Sequence, residues 1–202
     1  MGLIQTIRKD NKLVRDLMDF CDIEIYQKEQ IPNDLNGSTV WNINGMAFGC
    51  DGSGGEYILL NDNTIGFNGS EGDCGRLAEN EIELFELLLN ISSWHDYLYI
   101  DLYTDDELLE KYILKAEKDH EIFYSKNNEG NEYKNIQKTL SEKLVIKIFE
   151  NKIELLKRFY KTANREPKYI FTFTEKDGTK IISEGSLINR PLHKHVRTRM
   201  GL

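Results

Sequence analysis

The stretch Phe48–Arg76, FGCDGSGGEYILLNDNTIGFNGSEGDCGR, gathers the residue types that hold phosphates and cations: eight glycines and five carboxylates, closed by a single base. A phosphate loop needs backbone N–H groups converging at a helix start, usually with a lysine and a Ser or Thr. GSEGDCGR has the glycines but no lysine, and its Glu71 and Asp73 would face a phosphate with like charge. DGSGGE, Asp51–Glu56, offers the hard oxygens of Asp51, Ser53 and Glu56 to calcium, yet the twelve-residue ligand spacing of a calcium loop is absent. A Cys74 nucleophile with His95 as base has no spacing that joins the two, and a small buried thiol is the commoner fate of a cysteine. His193 and His195 in HKH place two imidazoles at metal-ligand spacing without a third ligand nearby. These residues therefore predict no catalytic group, no bound metal and no cofactor. The glycines Gly54, Gly55, Gly72 and Gly75 read as turn formers, chosen for positive φ.

What remains is the acid itself. The net charge of −8 is unevenly spread: residues 1–100 carry 6 Lys or Arg against 17 Asp or Glu, whereas residues 101–202 carry 20 against 17. Between Asn33 and Ile100 the one strong base is Arg76, set among eleven carboxylates. Such a field repels nucleic acid and steers a basic protein towards it. Asp51, Glu56, Asp62, Glu71, Asp73 and Glu79 lie on tight turns or next to a helix start, so they form the expected contact surface for a partner. The basic tail NRPLHKHVRTRMGL, with Arg190, Lys194, Arg197 and Arg199, is expected to be a solvated end or to fold back on the acidic half rather than to bind nucleic acid.

Composition agrees with a folded, water-soluble chain: 202 residues are 40% hydrophobic and 30% charged. No apolar run approaches the roughly 20 residues that span a bilayer, and the amino-terminal stretch lacks a secretory apolar block, so a cytoplasmic protein with no membrane partner is expected. Cys21, Cys50 and Cys74 are odd in number and lack C-x-x-C spacing, which predicts reduced thiols.

The elements that must position these residues follow from periodicity. Leu13, Val14, Leu17, Met18 and Cys21 recur at helical spacing over Asn11–Cys21. EYILL and TIGF read as two strands joined across NDN. Asn80 with Glu83 starts a helix whose Ile82, Phe85, Leu88 and Leu89 share a face, and Thr104 with Glu107 repeats the capping box before a short second helix. SKNNEGNE, residues 125–132, marks a boundary, and Tyr133–Ala163 favours helix, although LVIKIF also alternates as a strand does. Asp177-Gly178 turns a hairpin from Tyr169–Thr174 to Ile181 and Ile182. The predicted fold is α+β, with an antiparallel or mixed sheet flanked by helices. Residues 1–124 are its core, and residues 125–202 form a helix and β-hairpin extension packed on that core.

The segment FGCDGSGGEYILLNDNTIGFNGSEGDCGRLAENEIELFELLL, Phe48–Leu89, resembles the central part of the SUKH superfamily, which includes bacterial toxin-immunity proteins and yeast cell-wall-assembly regulators. The features that carry the resemblance are the phenylalanine and glycine before DGSGGEY, the strand-turn-strand YILLNDNTIGF, and SEGDCGRLAEN leading into an acidic amphipathic helix. The resemblance implies an α+β fold and a non-catalytic protein that binds and neutralises a cognate secreted toxin, a nuclease or deaminase. A regulatory interaction module without a toxin and a metal-binding protein are the alternatives. Oligomeric state is left open.

Overall fold

The computed structural model describes residues 2–34, 38–91, 93–127 and 132–202; the side chains of residues 124–127 and 132 are outside that description. The boundary expected at 125–132 therefore lies in part outside the described residues. The fold is α+β: among the described residues there are seven α-helices and two antiparallel sheets, of five and three strands. No described helix is long and apolar enough to cross a membrane. Contacts divide the chain into two compact units, Met1–Leu84 with Lys161–Leu187, and Phe85–Tyr160 with Ile188–Leu202. Both units thus draw on the carboxy-terminal third expected to form an extension.

In the first unit, α1 (Leu3–Ile7) precedes α2 (Asn11–Cys21), whose bounds match the periodicity. Asp10 caps α2 by accepting from the N–H groups of Lys12 and Leu13, at 2.9 and 3.0 Å. The helix ends because Asp22 turns left-handed at φ 51°. Leu13, Leu17, Phe20 and Cys21 form its buried stripe.

The larger sheet is built from β1 (Glu24–Gln30), β3 (Gly45–Cys50), β4 (Glu56–Leu60), β5 (Ile65–Asn68) and β6 (Cys74–Ala78), in the order β1-β3-β4-β5-β6. The smaller sheet joins β2 (Thr39–Trp41) to the hairpin β7 (Phe171–Thr174) and β8 (Lys180–Ile182). Every pairing is antiparallel. On one face of the large sheet Phe48, Tyr57 and Phe67 make an aromatic ladder, with ring centroids 6.2 and 5.2 Å apart. On the other, Ala47, Ile58, Leu60, Cys74 and Tyr169 form a buried cluster against which Trp41 and Phe171 of the small sheet pack. β4 is consequently covered on both faces, which is why EYILL reads as a continuous apolar run instead of alternating. Tyr169 packs closely on Gly66, where an added Cβ would sit 2.8 Å from the ring.

Helix α3 (Glu81–Asn90) contains the division between the units. Asn80 caps it as expected, its Oδ1 accepting from Glu83 N at 3.0 Å. Phe85, Leu88 and Leu89 of the expected face are buried, but Ile82 is 57% exposed and Leu84 and Leu87 are buried as well.

The second unit packs two short 3₁₀ turns, Trp94–Tyr97 and Ile100–Tyr103, with α4 (Asp106–Asn127), α5 (Glu132–Leu144), α6 (Lys152–Ala163) up to Tyr160, and α7 (Lys194–Met200). Its core carries edge-to-face pairs, Trp94 on Phe159 and Tyr97 on Tyr112. The cap of α4 is Asp105, which accepts from Glu107 N and Leu108 N at 3.0 and 3.1 Å, while Thr104 turns its hydroxyl back to Asp101 O. The helix it starts is 22 residues long, not short. The expected run Tyr133–Ala163 is broken between α5 and α6, where Val145 takes φ 56°. Asn90 holds that break: its Nδ2 donates to Glu86 O and Lys147 O, and its Oδ1 accepts from Phe149 N at 2.7 Å. The basic tail is ordered as α7, with Val196 and Met200 buried and Arg197 paired to Asp101 at 3.4 Å. It folds back, but on the second unit's own acid.

Candidate interaction surface

In an antiparallel meander successive turns alternate between the two ends of the sheet. The β3–β4 and β5–β6 turns therefore share one end, and the β4–β5 turn lies at the other. This divides the six carboxylates of the expected surface. Asp51, Glu56, Glu71 and Asp73 are at the first end, whereas Asp62 and Glu79 are at the opposite one. A single face holding all six does not form.

Two of the first four are turned inward. Asp51 is only 5% exposed, and its Oδ1 accepts from Ser53 N at 2.9 Å, Ser53 Oγ at 2.8 Å and Gly55 N at 2.8 Å. It is the keystone of its own turn. Glu56, 4% exposed, accepts from Asn33 N at 2.8 Å and Asn33 Nδ2 at 3.0 Å. Burial raises the Glu56 pKa, and the Asn33 N–H offsets part of that rise. Glu71 is exposed at the tip of the β5–β6 turn, and Asp73 is half-buried where the turn closes through Gly69 N to Asp73 O.

The acids at the far end are paired. Asp62 Oδ2 stands 2.7 Å from Arg76 Nη2, and this partner, with the Thr64 hydroxyl and N–H, holds its carboxyl well below the usual range against the opposing effect of burial. Glu79 accepts from Thr162 Oγ1 at 3.0 Å and pairs with Arg165. Neither is offered to a partner as an unmatched charge.

Sequence reasoning missed two carboxylates. Glu24 pairs with Cys50 across β1 and β3, which brings Glu24 and its neighbour Asp22 to the same end as Glu71. Both are exposed, and Asp22 Oδ1 also accepts from Gly52 N at 3.0 Å. Only the β1–β3 pairing reveals them, because more than twenty residues of chain separate them from the glycine-rich turns. The glycines divide by cause. Gly54 and Gly72 take φ of 87° and 92° as expected, whereas Gly55 and Gly75 do not need positive φ. Gly55 is small because a Cβ there would strike the Phe67 ring, and Gly75 because one would lie 2.9 Å from Leu187 N.

A polar row crosses the large sheet at this end: Glu24, Cys50, Glu56, Asn68 and Cys74 are successive register partners, so their side chains share a face. Neither cysteine in it suits nucleophilic chemistry. Burial pushes the Cys74 thiol up to about 12, and its Sγ lies 3.5 Å from both Asn68 Oδ1 and Tyr169 O. Cys50 is raised by burial first and then by Glu24, Asp51 and Glu56, with the Tyr26 hydroxyl pulling the other way. All three cysteines are free thiols. His95 stacks on Trp94, and His193 on His195 at the start of α7. Among the described residues no group of three or more His, Cys, Asp or Glu side chains is placed to hold a metal ion. In the second unit a small polar pocket of about 140 Å³ contains Glu117, His120 and Lys152. Burial lowers Lys152 to about 8 and also lowers His120.

Comparison of the chain with protein-family models, with curated proteins and with solved structures found no match.

Proposed function

We propose that this protein binds a basic protein partner at the end of the large sheet that carries Asp22, Glu24, Glu71 and Asp73, and that the partner is a secreted toxin which it neutralises. The observation that carries the reading is the fate of Arg76. The one strong base between Asn33 and Ile100 has a fully buried side chain committed to Asp62 at the opposite end, so it does not offset the exposed carboxylates. A rigid meander with tight turns then presents a negative field at little entropic cost, which favours fast, salt-sensitive association over strong contact energy. The toxin itself rests on the likeness of Phe48–Leu89 to the SUKH superfamily. A toxin that handles nucleic acid is basic around its active site, and an anionic surface occupies the same field.

The test is capture of the partner from the source cell across a salt series, followed by association kinetics with the identified protein. A basic toxin whose activity is suppressed supports the reading. Its association rate should fall about tenfold at low salt in the triple variant Asp22→Asn, Glu24→Gln, Glu71→Gln. A partner that is not a toxin would identify a regulatory interaction module instead. Binding that is insensitive to both salt and the triple variant removes the acidic surface from the mechanism.

A further inference from the structure

A cavity of about 360 Å³ opens in the first unit beside the β5–β6 turn, within the size range of small-ligand sites. Its walls come from three places distant in sequence: Trp41 on β2, Phe171 and Phe173 on β7, and the turn that carries Asp73. Asn33 completes the rim, and its Nδ2 is already committed to Glu56, so its Oδ1 is the amide atom left to accept. Among the described residues no lysine or arginine lines the cavity. Aromatic rings, a carboxylate and an amide oxygen together favour a cation with a flat, weakly hydrated face.

We propose that this cavity receives an arginine side chain of a partner protein, its guanidinium held among Trp41, Phe171, Phe173 and Asp73. Lysine meets the charge requirement but not the planar one, because its ammonium is compact and strongly hydrated. The inference deepens the reading of a basic partner by naming what that partner inserts, and it rests on that reading only for the identity of the protein that brings the arginine.

The test uses the full chain with N-acetyl-L-arginine methylamide as probe, read by the Trp41 indole resonance in an amide-proton NMR spectrum. That peak is assigned by its loss in Trp41→Phe. The expected result is a saturable shift of this resonance, with the neutral isostere N-acetyl-citrulline methylamide at least about tenfold weaker and the lysine analogue in between. Asp73→Asn should weaken the arginine probe severalfold while leaving the spectrum of the fold unchanged, and Phe171→Leu provides an independent variant if either substitution disturbs folding. Equal affinity for arginine and citrulline, or no shift at saturating probe, overturns the proposal. The two readings fail separately. A cavity that ignores arginine while the acidic end still binds its partner in a salt-sensitive way leaves the proposed function intact, and the converse leaves the cavity's preference standing without that partner.

Discussion

Arg76 Nη2 and Asp62 Oδ2 lie 2.7 Å apart, with the arginine side chain fully buried and the aspartate 34% exposed. Arg76 also donates through Nε to Pro167 O at 3.0 Å and through Nη1 to the Thr64 hydroxyl. One side chain thus ties β6 to the β4–β5 turn and to the segment that leads into β7. Burying a guanidinium is tolerable only because its charge is answered by Asp62 and its Nε and Nη1 have acceptors.

Asp62→Asn should therefore cost about 2 kcal/mol, less than for a fully buried pair because the carboxylate reaches solvent. The folded Asp62 pKa is depressed, so the stabilisation is complete above the ordinary aspartate value of about 3.9 and drains away as pH falls below it. Urea midpoints measured from pH 7 down to pH 3 should show the wild type losing its advantage over the variant in acid. A constant gap across that range would mean the pair contributes no charge-dependent stability.

Glu56 should behave in the opposite sense. Its folded pKa is raised by burial, so the protonated acid suits the fold; that contribution is full below about 4.3 and is lost as pH rises through the higher folded value. The stability of Glu56→Gln relative to wild type should improve between pH 4 and pH 7, as read by thermal unfolding at each pH. A parallel pH dependence for the two proteins would show that Asn33 compensates the buried charge completely.

Asn90 satisfies three backbone groups with one buried amide. Asn90→Ala should destabilise the chain by about 3 kcal/mol, because Lys147 O and Phe149 N are then left without their partner. Asn90→Asp should lose part of the same stability, since it keeps the acceptor and forfeits both donations. Chemical denaturation with fluorescence detection measures both, and a loss under about 0.5 kcal/mol for Asn90→Ala would show that water replaces the amide.

The thiols offer a test of accessibility. Cys21 and Cys74 are buried with their pKa values raised by desolvation, and Cys50 is raised as well. Native labelling with iodoacetamide at pH 8 should be at least about tenfold slower than labelling in denaturant, with Cys50 reacting first. Rapid modification of Cys50 or Cys74 in the native protein would contradict the arrangement of the polar row, and rapid modification of Cys21 the burial of the α2 stripe.

Much of the local structure was legible because its causes are local. The apolar spacing defines α2, Asp177-Gly178 turns the hairpin with Gly178 at φ 89°, and the NDN stretch joins β4 to β5. Where two local causes compete, the sequence alone does not choose between them. Thr104 and Asp105 both offer a cap, and Asp105 takes the role because its carboxylate reaches two N–H groups while the Thr104 hydroxyl is satisfied by Asp101 O. Past Leu144, the rest of LVIKIF is neither helix nor strand, because Asn90, more than fifty residues earlier, supplies the hydrogen bonds that an irregular segment lacks.

The amino-acid order alone determined the uneven charge, the positions of most helices and hairpins, and the need for glycine at the turns, since each follows from neighbours in the chain. Which carboxylates meet water was decided only by the tertiary structure. Asp51 and Glu56 are taken inward by Gly55 and Asn33, Asp62 is claimed by Arg76, and Glu24 is brought to the acidic end by its pairing with Cys50. The reason is physical: a charge is presented or quenched by what lies within a few ångströms of it, and in a sheet those neighbours come from strands far apart in sequence.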